Sequence, residues 1–193
     1  MKRLILGIIV LLLTSSNLNA GQFGLKMGMT INEIDKNAKF LFNGYYMVKV
    51  PKPHSFFDEY MVGVCKTKGL FFINALKKNI STSAYGTQIK SDYDELEKKI
   101  IKTYGKNKRF DYLNSGSIWE EEKYWMMGLL KKERRLRSSW TKSTGLKDKD
   151  NLKQIIMAVM PRNTERGDIA LQYIYQNADS CQKELSKQDD DSL

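Results

Sequence analysis

Runs of apolar residues rich in aromatic and β-branched side chains predict strands in the first half of the chain. Segment 45–50 is rich in aromatic and β-branched residues, and Pro51 ends it. Segments 60–67 and 70–76 are two β-rich runs. Gly69, which lies between them, suits the positive φ of a tight turn, so these runs predict a hairpin.

The second half repeats this kind of pattern. Segments 152–160 and 168–176 predict another hairpin. A further strand is predicted near Arg135, because the period changes to two there. Leu136, Ser138 and Trp140 would then point to one side, with Arg135, Arg137 and Ser139 on the other.

Helices are predicted where apolar residues recur every three or four positions. Thr30 and Glu33 have the spacing of a capping box, which predicts a short helix over 31–38. The clearest helix begins at Ser91. Its apolar face carries Tyr93, Leu96, Ile100 and Tyr104.

Segments 120–134 and 178–187 complete the predicted helices. This mixed order predicts a single α+β domain over residues 21–187, with a mainly antiparallel sheet of about five to seven strands and two or three packed helices. The acidic residues 188–193 are expected to form a disordered tail.

The first twenty residues have the layout of a secretory signal peptide. Lys2 and Arg3 precede the apolar run 4–13, and a polar stretch leads to Ala20. The run is shorter than the roughly 20 apolar residues of a membrane span, although an uncleaved N-terminal anchor remains the alternative. We therefore expect cleavage near Ala20, a periplasmic or secreted protein, and no transmembrane span in the mature chain.

The net charge of the chain limits the classes of partner that we expect. The chain carries a net charge of +10, and removal of Lys2 and Arg3 would lower it by two. Such a charge attracts anions over long range. In an exported protein these would be an acidic protein or an anionic envelope component, and nucleic acid is not expected.

Cys65 and Cys181 are the two cysteines of the chain. An even pair in an oxidising compartment usually forms a disulfide, which we expect here. A redox or metal site is the alternative, but there is no C-x-x-C motif and His54 is the single histidine. We expect no metal site and no cofactor.

Two resemblances support export. The motif Gly28-Met29-Thr30 followed by Glu33 resembles the opening of SmpA-like small envelope proteins. Ser-Gly-Ser-Ile-Trp at 115–119 and Trp-Met-Met-Gly-Leu-Leu-Lys-Lys-Glu-Arg at 125–134 resemble a family of uncharacterised secreted bacterial proteins. The second resemblance covers roughly residues 60–185 and implies export and a single domain, but it assigns no activity and no catalytic residues.

The candidate binding surface is a basic tract beside a tryptophan. Its residues are Lys131, Lys132, Arg134, Arg135, Arg137 and Trp140. Arginine binds carboxylates and phosphates with two parallel hydrogen bonds, and tryptophan offers apolar contact area. A solvated face beside buried tryptophans would show the same pattern.

The sequence favours a non-enzymatic binding protein of the bacterial periplasm with an anionic partner. One alternative is an envelope immunity, inhibitor or exclusion protein against a toxin or phage. Another is a carboxylate-based envelope hydrolase, with the acids of 120–122 or with Asp58 and Glu59. Such a hydrolase requires a concave pocket with two converging acids.

Overall fold

The structure is a computed structural model that describes residues 21–147 and 149–190. The predicted signal peptide 1–20 and the last three residues lie outside this range. The elements, in chain order, are α1 (Ile31–Ile34), β1 (Lys39–Phe42), β2 (Tyr45–Val48), β3 (Glu59–Cys65), β4 (Gly69–Ser81), α2 (Thr87–Tyr104), β5 (Lys108–Leu113), α3 (Trp125–Leu130), β6 (Arg134–Thr141), β7 (Leu152–Pro161), β8 (Arg166–Tyr175) and α4 (Ala178–Asp190).

All eight strands form one antiparallel sheet in the order β1-β2-β3-β4-β8-β7-β6-β5. Strands β1 to β4 are a meander in chain order, and β5 to β8 are a second meander. The two halves join where β4 pairs with β8 in the middle of the sheet. Helix α2 follows the first meander, and α4 follows the second.

The α+β class and the antiparallel sheet are confirmed, but the strand number is eight rather than five to seven. The additional strand is β1 at one edge of the sheet, where Phe40 is 59% exposed and Phe42 is 56% exposed. It was not expected because apolar and polar residues do not alternate along it.

The helices also differ in length from their predictions. α1 ends at Ile34, although its capping box between Thr30 and Glu33 forms as predicted. α2 begins at Thr87, four residues before Ser91. The expected helix over 120–134 is reduced to a 3-10 turn and α3, and α4 continues to Asp190, past the expected end at residue 187.

One face of the sheet carries the main core, and we call it the core face. On β6 and β7 it presents Trp140 paired with Ile155, and Ser138 paired with Met157. Helix α2 lies across this face, and the Tyr93 hydroxyl donates to Ser138 Oγ at 2.8 Å. Burial of its apolar stripe against the sheet stabilises α2 more than local propensity does.

Helix α4 packs on the opposite face, against β3 and β4. The Cys65–Cys181 disulfide ties it there, with Cα atoms 5.3 Å apart, so the predicted pairing is confirmed. Leu185 packs beside the β1–β2 turn at Gly44. None of the described helices is long and apolar enough to cross a membrane.

Candidate functional site

The basic tract begins in the turn between α3 and β6. The Lys132 N–H donates to Leu129 O, and the Glu133 N–H donates to Gly128 O, which is the Schellman pattern that ends a helix. Lys132 occupies the left-handed position of this motif, with φ of 60°. Glycine is usual there, so a lysine costs backbone energy.

Strand β6 then divides the arginines between the two faces of the sheet. Arg135 pairs with Tyr112, and Arg137 pairs with Phe110, so these side chains lie together on the face away from α2. Arg134 pairs with Leu113 on the core face and extends beneath α3. A Cβ built on Gly128 would lie 3.2 Å from Arg134 Cβ, so Gly128 leaves the space for this side chain.

Next to these residues the sheet splits. The ladder between β6 and β7 runs from Thr141–Gln154 to Arg137–Ala158 and continues no further, although β7 stays paired with β8 as far as Pro161. The split opens a cavity of about 350 Å³, which we call the β6–β7 cleft. Its lining is Leu129, Lys132, Arg134, Arg135, Leu136, Arg137, Ala158, Val159 and Pro161.

Four basic residues therefore line the cleft together with apolar residues of α3, β6 and β7. Among the described residues, no carboxylate lies within 4 Å of Lys132, Arg134, Arg135 or Arg137. The Arg134 Nε–H is buried and has no hydrogen-bond partner. A buried donor without an acceptor costs about 1–3 kcal/mol.

The electrostatic effect extends to Lys90 on α2. Burial lowers the pKa of the Lys90 ammonium, and the positive charge of Arg134 acts in the same direction. The carboxylates of Asp111, Glu122 and Asp94 oppose both effects.

Two residues of the predicted surface are placed differently. Lys131 is exposed but does not line the cleft. Trp140 has no exposed surface, and its indole N–H donates to Gly105 O at 3.0 Å. Trp140 therefore belongs to the core and offers no contact area to a partner. The two-residue period that turns Arg135 and Arg137 outward turns Trp140 inward.

The sequence did not reveal the other wall of the cleft. Ala158, Val159 and Pro161 come from β7, about twenty residues further along the chain. Pro161 is the single local signal, since proline occurs in sheets where a strand ends or loses a partner. The register between β6 and β7 is a tertiary property, which strand patterns alone do not give.

Two acids of the hydrolase alternative, Asp58 and Glu59, each form an ion pair with a lysine. Asp58 and Glu59 both border a cavity of about 470 Å³. Lys77 lies 3.1 Å from Asp58, and Lys78 lies 2.7 Å from Glu59. The Lys78 N–H also donates to Asp58 and holds the pKa of that carboxyl below its ordinary value. A glycosidase acid needs a raised pKa, so this arrangement does not supply one.

A second polar cluster is buried beneath α2. Glu97 accepts from Ser138, Asn107 and Arg109, and burial raises the pKa of the neighbouring Tyr93. Ser138 has no exposed surface and Glu97 is buried, so this network stabilises the packing of α2 on the sheet.

The remaining candidates for chemistry are the histidine and any cluster of metal ligands. His54 lies in an exposed loop, where its Nδ1 accepts from the Phe56 N–H. Within residues 21–147 and 149–190, no three side chains of the metal-binding types lie close enough together to hold an ion.

Comparison with known proteins gives no relative: no family model, no curated protein and no solved structure matches the chain.

Proposed function

We propose that this is an exported, non-enzymatic binding protein of the bacterial envelope, and that its β6–β7 cleft binds an anionic group of an acidic partner protein. The observation that carries the proposal is the cleft itself. Four basic residues line it, none of them has a described carboxylate within 4 Å, and the buried Arg134 Nε–H has no hydrogen-bond partner.

The chemistry of the cleft fits a carboxylate. Guanidinium groups offer paired N–H donors at the spacing of two carboxylate oxygens. Phe110 and Tyr112 lie beside Arg137 and Arg135 on the same face and add apolar contact area, and Tyr112 is 41% exposed. Aromatic residues and arginine are the types that dominate protein–protein interfaces.

Export is supported by two features of the domain. The disulfide between Cys65 and Cys181 is compatible with an oxidising compartment. The packed structure also begins directly after the expected cleavage site, since Gln22 and Leu25 are already buried. A signal peptide ending at Ala20 would leave this packing intact.

The test is capture of partners from envelope extract, followed by mass spectrometry. Arg135→Glu with Arg137→Glu should weaken capture of the partner by about tenfold or more, and raised salt should weaken capture by the wild type. The matched control is Lys98→Glu with Lys102→Glu, which makes the same charge change on exposed residues of α2.

Thermal melts of all three proteins control for folding, because exposed substitutions usually change stability by only about 0.5 kcal/mol. Equal loss of capture in both double variants would indicate nonspecific attraction by net charge. Equal capture by all three proteins, insensitive to salt, would show that the basic tract is a solvated face. Either result would contradict the proposal.

A further inference from the structure

A second cavity lies at the start of the domain, on the opposite flank of α2 from the buried Ser138 network. It has a volume of about 380 Å³, which is within the range of small-molecule sites, and we call it the N-terminal cavity. Its walls are largely apolar. The side chains that form them include Phe23, Phe57, Leu96, Ile100, Tyr104 and Tyr173.

Contacts within the protein hold these walls in place. The Phe23 ring contacts Phe57, Tyr60 and Tyr173 in edge-to-face geometry, with centroids 4.8–5.9 Å apart. The Lys52 N–H donates to Phe23 O at 3.0 Å and fixes the loop that carries the opposite wall. A preformed wall loses little entropy when a ligand binds.

Polar groups behind the walls are already satisfied. The Gln22 Nε2 group donates to the Tyr104 hydroxyl at 3.1 Å and to Asp150 at 2.9 Å. The Tyr175 hydroxyl donates to Gln22 Oε1 at 2.7 Å. Because these groups bond one another, the interior of the cavity favours an apolar occupant.

The mouth of the cavity has the opposite character. Lys52 and Lys99 line it from the loop and from α2, and both side chains are exposed. Neither ammonium has a described carboxylate within 4 Å. An apolar interior with two unpaired cations at its mouth complements a molecule that has an apolar tail and an anionic head.

We propose that the N-terminal cavity binds a small anionic amphiphile, namely an alkyl chain with a carboxylate or phosphate head. The tail lies against Phe23, Leu96 and Ile100, and the head lies between Lys52 and Lys99. This site is separate from the β6–β7 cleft, and its occupant does not depend on the acidic partner proposed for that cleft.

A chain-length series tests the apolar part of the proposal. Binding of alkyl carboxylates and alkyl phosphates to the purified wild-type protein is measured by calorimetry. Affinity should rise about fourfold for each added methylene until the cavity is filled, because each buried methylene contributes a constant increment. Alkyl ammonium ions of the same length should bind at least about tenfold more weakly than the alkyl carboxylates. An affinity that does not depend on chain length would overturn the proposal.

Charge reversal tests the head-group position. Lys99→Glu and Lys52→Glu should each weaken binding of alkyl carboxylates by about fivefold or more, whereas Lys98→Glu, one residue away on the same helix and outside the lining, should have little effect. Equal effects of Lys98→Glu and Lys99→Glu would refute the assignment.

A third variant blocks the cavity without changing the core. Thr103 is exposed and lines the mouth, so Thr103→Trp should abolish binding of the longer amphiphiles while thermal melts stay close to wild type. Unchanged binding in a folded Thr103→Trp protein would place the amphiphile elsewhere. Arg135→Glu with Arg137→Glu should leave amphiphile binding intact, which separates this site from the cleft.

Discussion

Lys132 combines a charge at the cleft with an unfavourable backbone conformation. Its φ of 60° is a conformation that glycine adopts without strain. We predict that Lys132→Gly raises the free energy of unfolding by about 0.5–1 kcal/mol and weakens binding of the acidic partner. Denaturant unfolding and the capture experiment measure the two effects.

Lys131→Gly is the matched control for this prediction. Lys131 is exposed, lies outside the cleft and has an ordinary φ of −78°. Its replacement removes the same charge, and we expect neither higher stability nor weaker capture. If both variants gave the same result, the position of Lys132 would have no special role.

Glu184 joins α4 to the β3–β4 turn. It accepts from the Thr67 hydroxyl and from the Lys66 and Thr67 N–H groups. These bonds, the Thr67 hydroxyl first, lower the pKa of Glu184 from its ordinary value of 4.5. Because its pKa is lower in the folded state, Glu184 stabilises the fold at pH values above its ordinary pKa. This stabilisation is lost as the pH falls through the pKa of the folded state.

We therefore predict that Glu184→Gln destabilises the protein at neutral pH, and that the difference from wild type shrinks below about pH 4. Thermal melts of both proteins at pH values from below about 4 to neutral measure this difference in stability. Glu95→Gln, at an exposed carboxylate with no described hydrogen bond, should give a curve parallel to wild type. A Glu184→Gln difference that stays constant with pH would contradict the prediction.

At the scale of elements, the sequence predicted those features that depend on interactions between residues close together in the chain. The capping box of α1, the apolar stripe of α2 and the turn at Gly69, whose φ is 65°, each depend on residues within one turn of chain. The disulfide was predictable because the chain contains two cysteines, which allow a single pairing. These features needed no knowledge of the sheet.

Long-range pairing explains the features that the sequence did not predict. β4 continues through Lys77 and Lys78 to Ser81, because its polar end is held by cross-strand ion pairs and by pairing with β8. The β6–β7 cleft exists because one ladder stops at Arg137–Ala158 while its neighbours continue. Neither effect leaves a periodic signal in the segment concerned.

The disulfide is the strongest single tie between α4 and the sheet. Cys65 and Cys181 are separated by 116 residues. For a loop of this length, we predict that replacing both cysteines with serine lowers the free energy of unfolding by about 4–5 kcal/mol. Denaturant unfolding of the Cys65→Ser, Cys181→Ser protein measures it. Reduced wild type should match the variant, and a loss below about 1 kcal/mol would contradict the chain-entropy explanation.

At the scale of the whole molecule, the start of the domain limits where a signal peptide can be cut. Gln22 makes buried hydrogen bonds to Tyr104 and Tyr175, and Leu25 has no exposed surface. We predict that mass spectrometry of the envelope protein finds an N-terminus near Gly21. A soluble cytoplasmic species with Met1 intact would contradict export, and a terminus beyond Leu25 would contradict the packing.

The arrangement of the sheet in two meanders also affects the order in which its two halves fold. Within the described sheet, every strand pair except β4–β8 joins neighbours in the chain, so each half can form its hairpins alone. If the chain is exported N-terminus first, as we propose, β1–β4 can form while Cys181 is still behind the membrane. Cys65 would then remain a free thiol until the second half arrives and β4 pairs with β8. Formation of the disulfide would in that case follow the pairing of the two halves, and any oxidant that reaches Cys65 earlier would compete with the native partner.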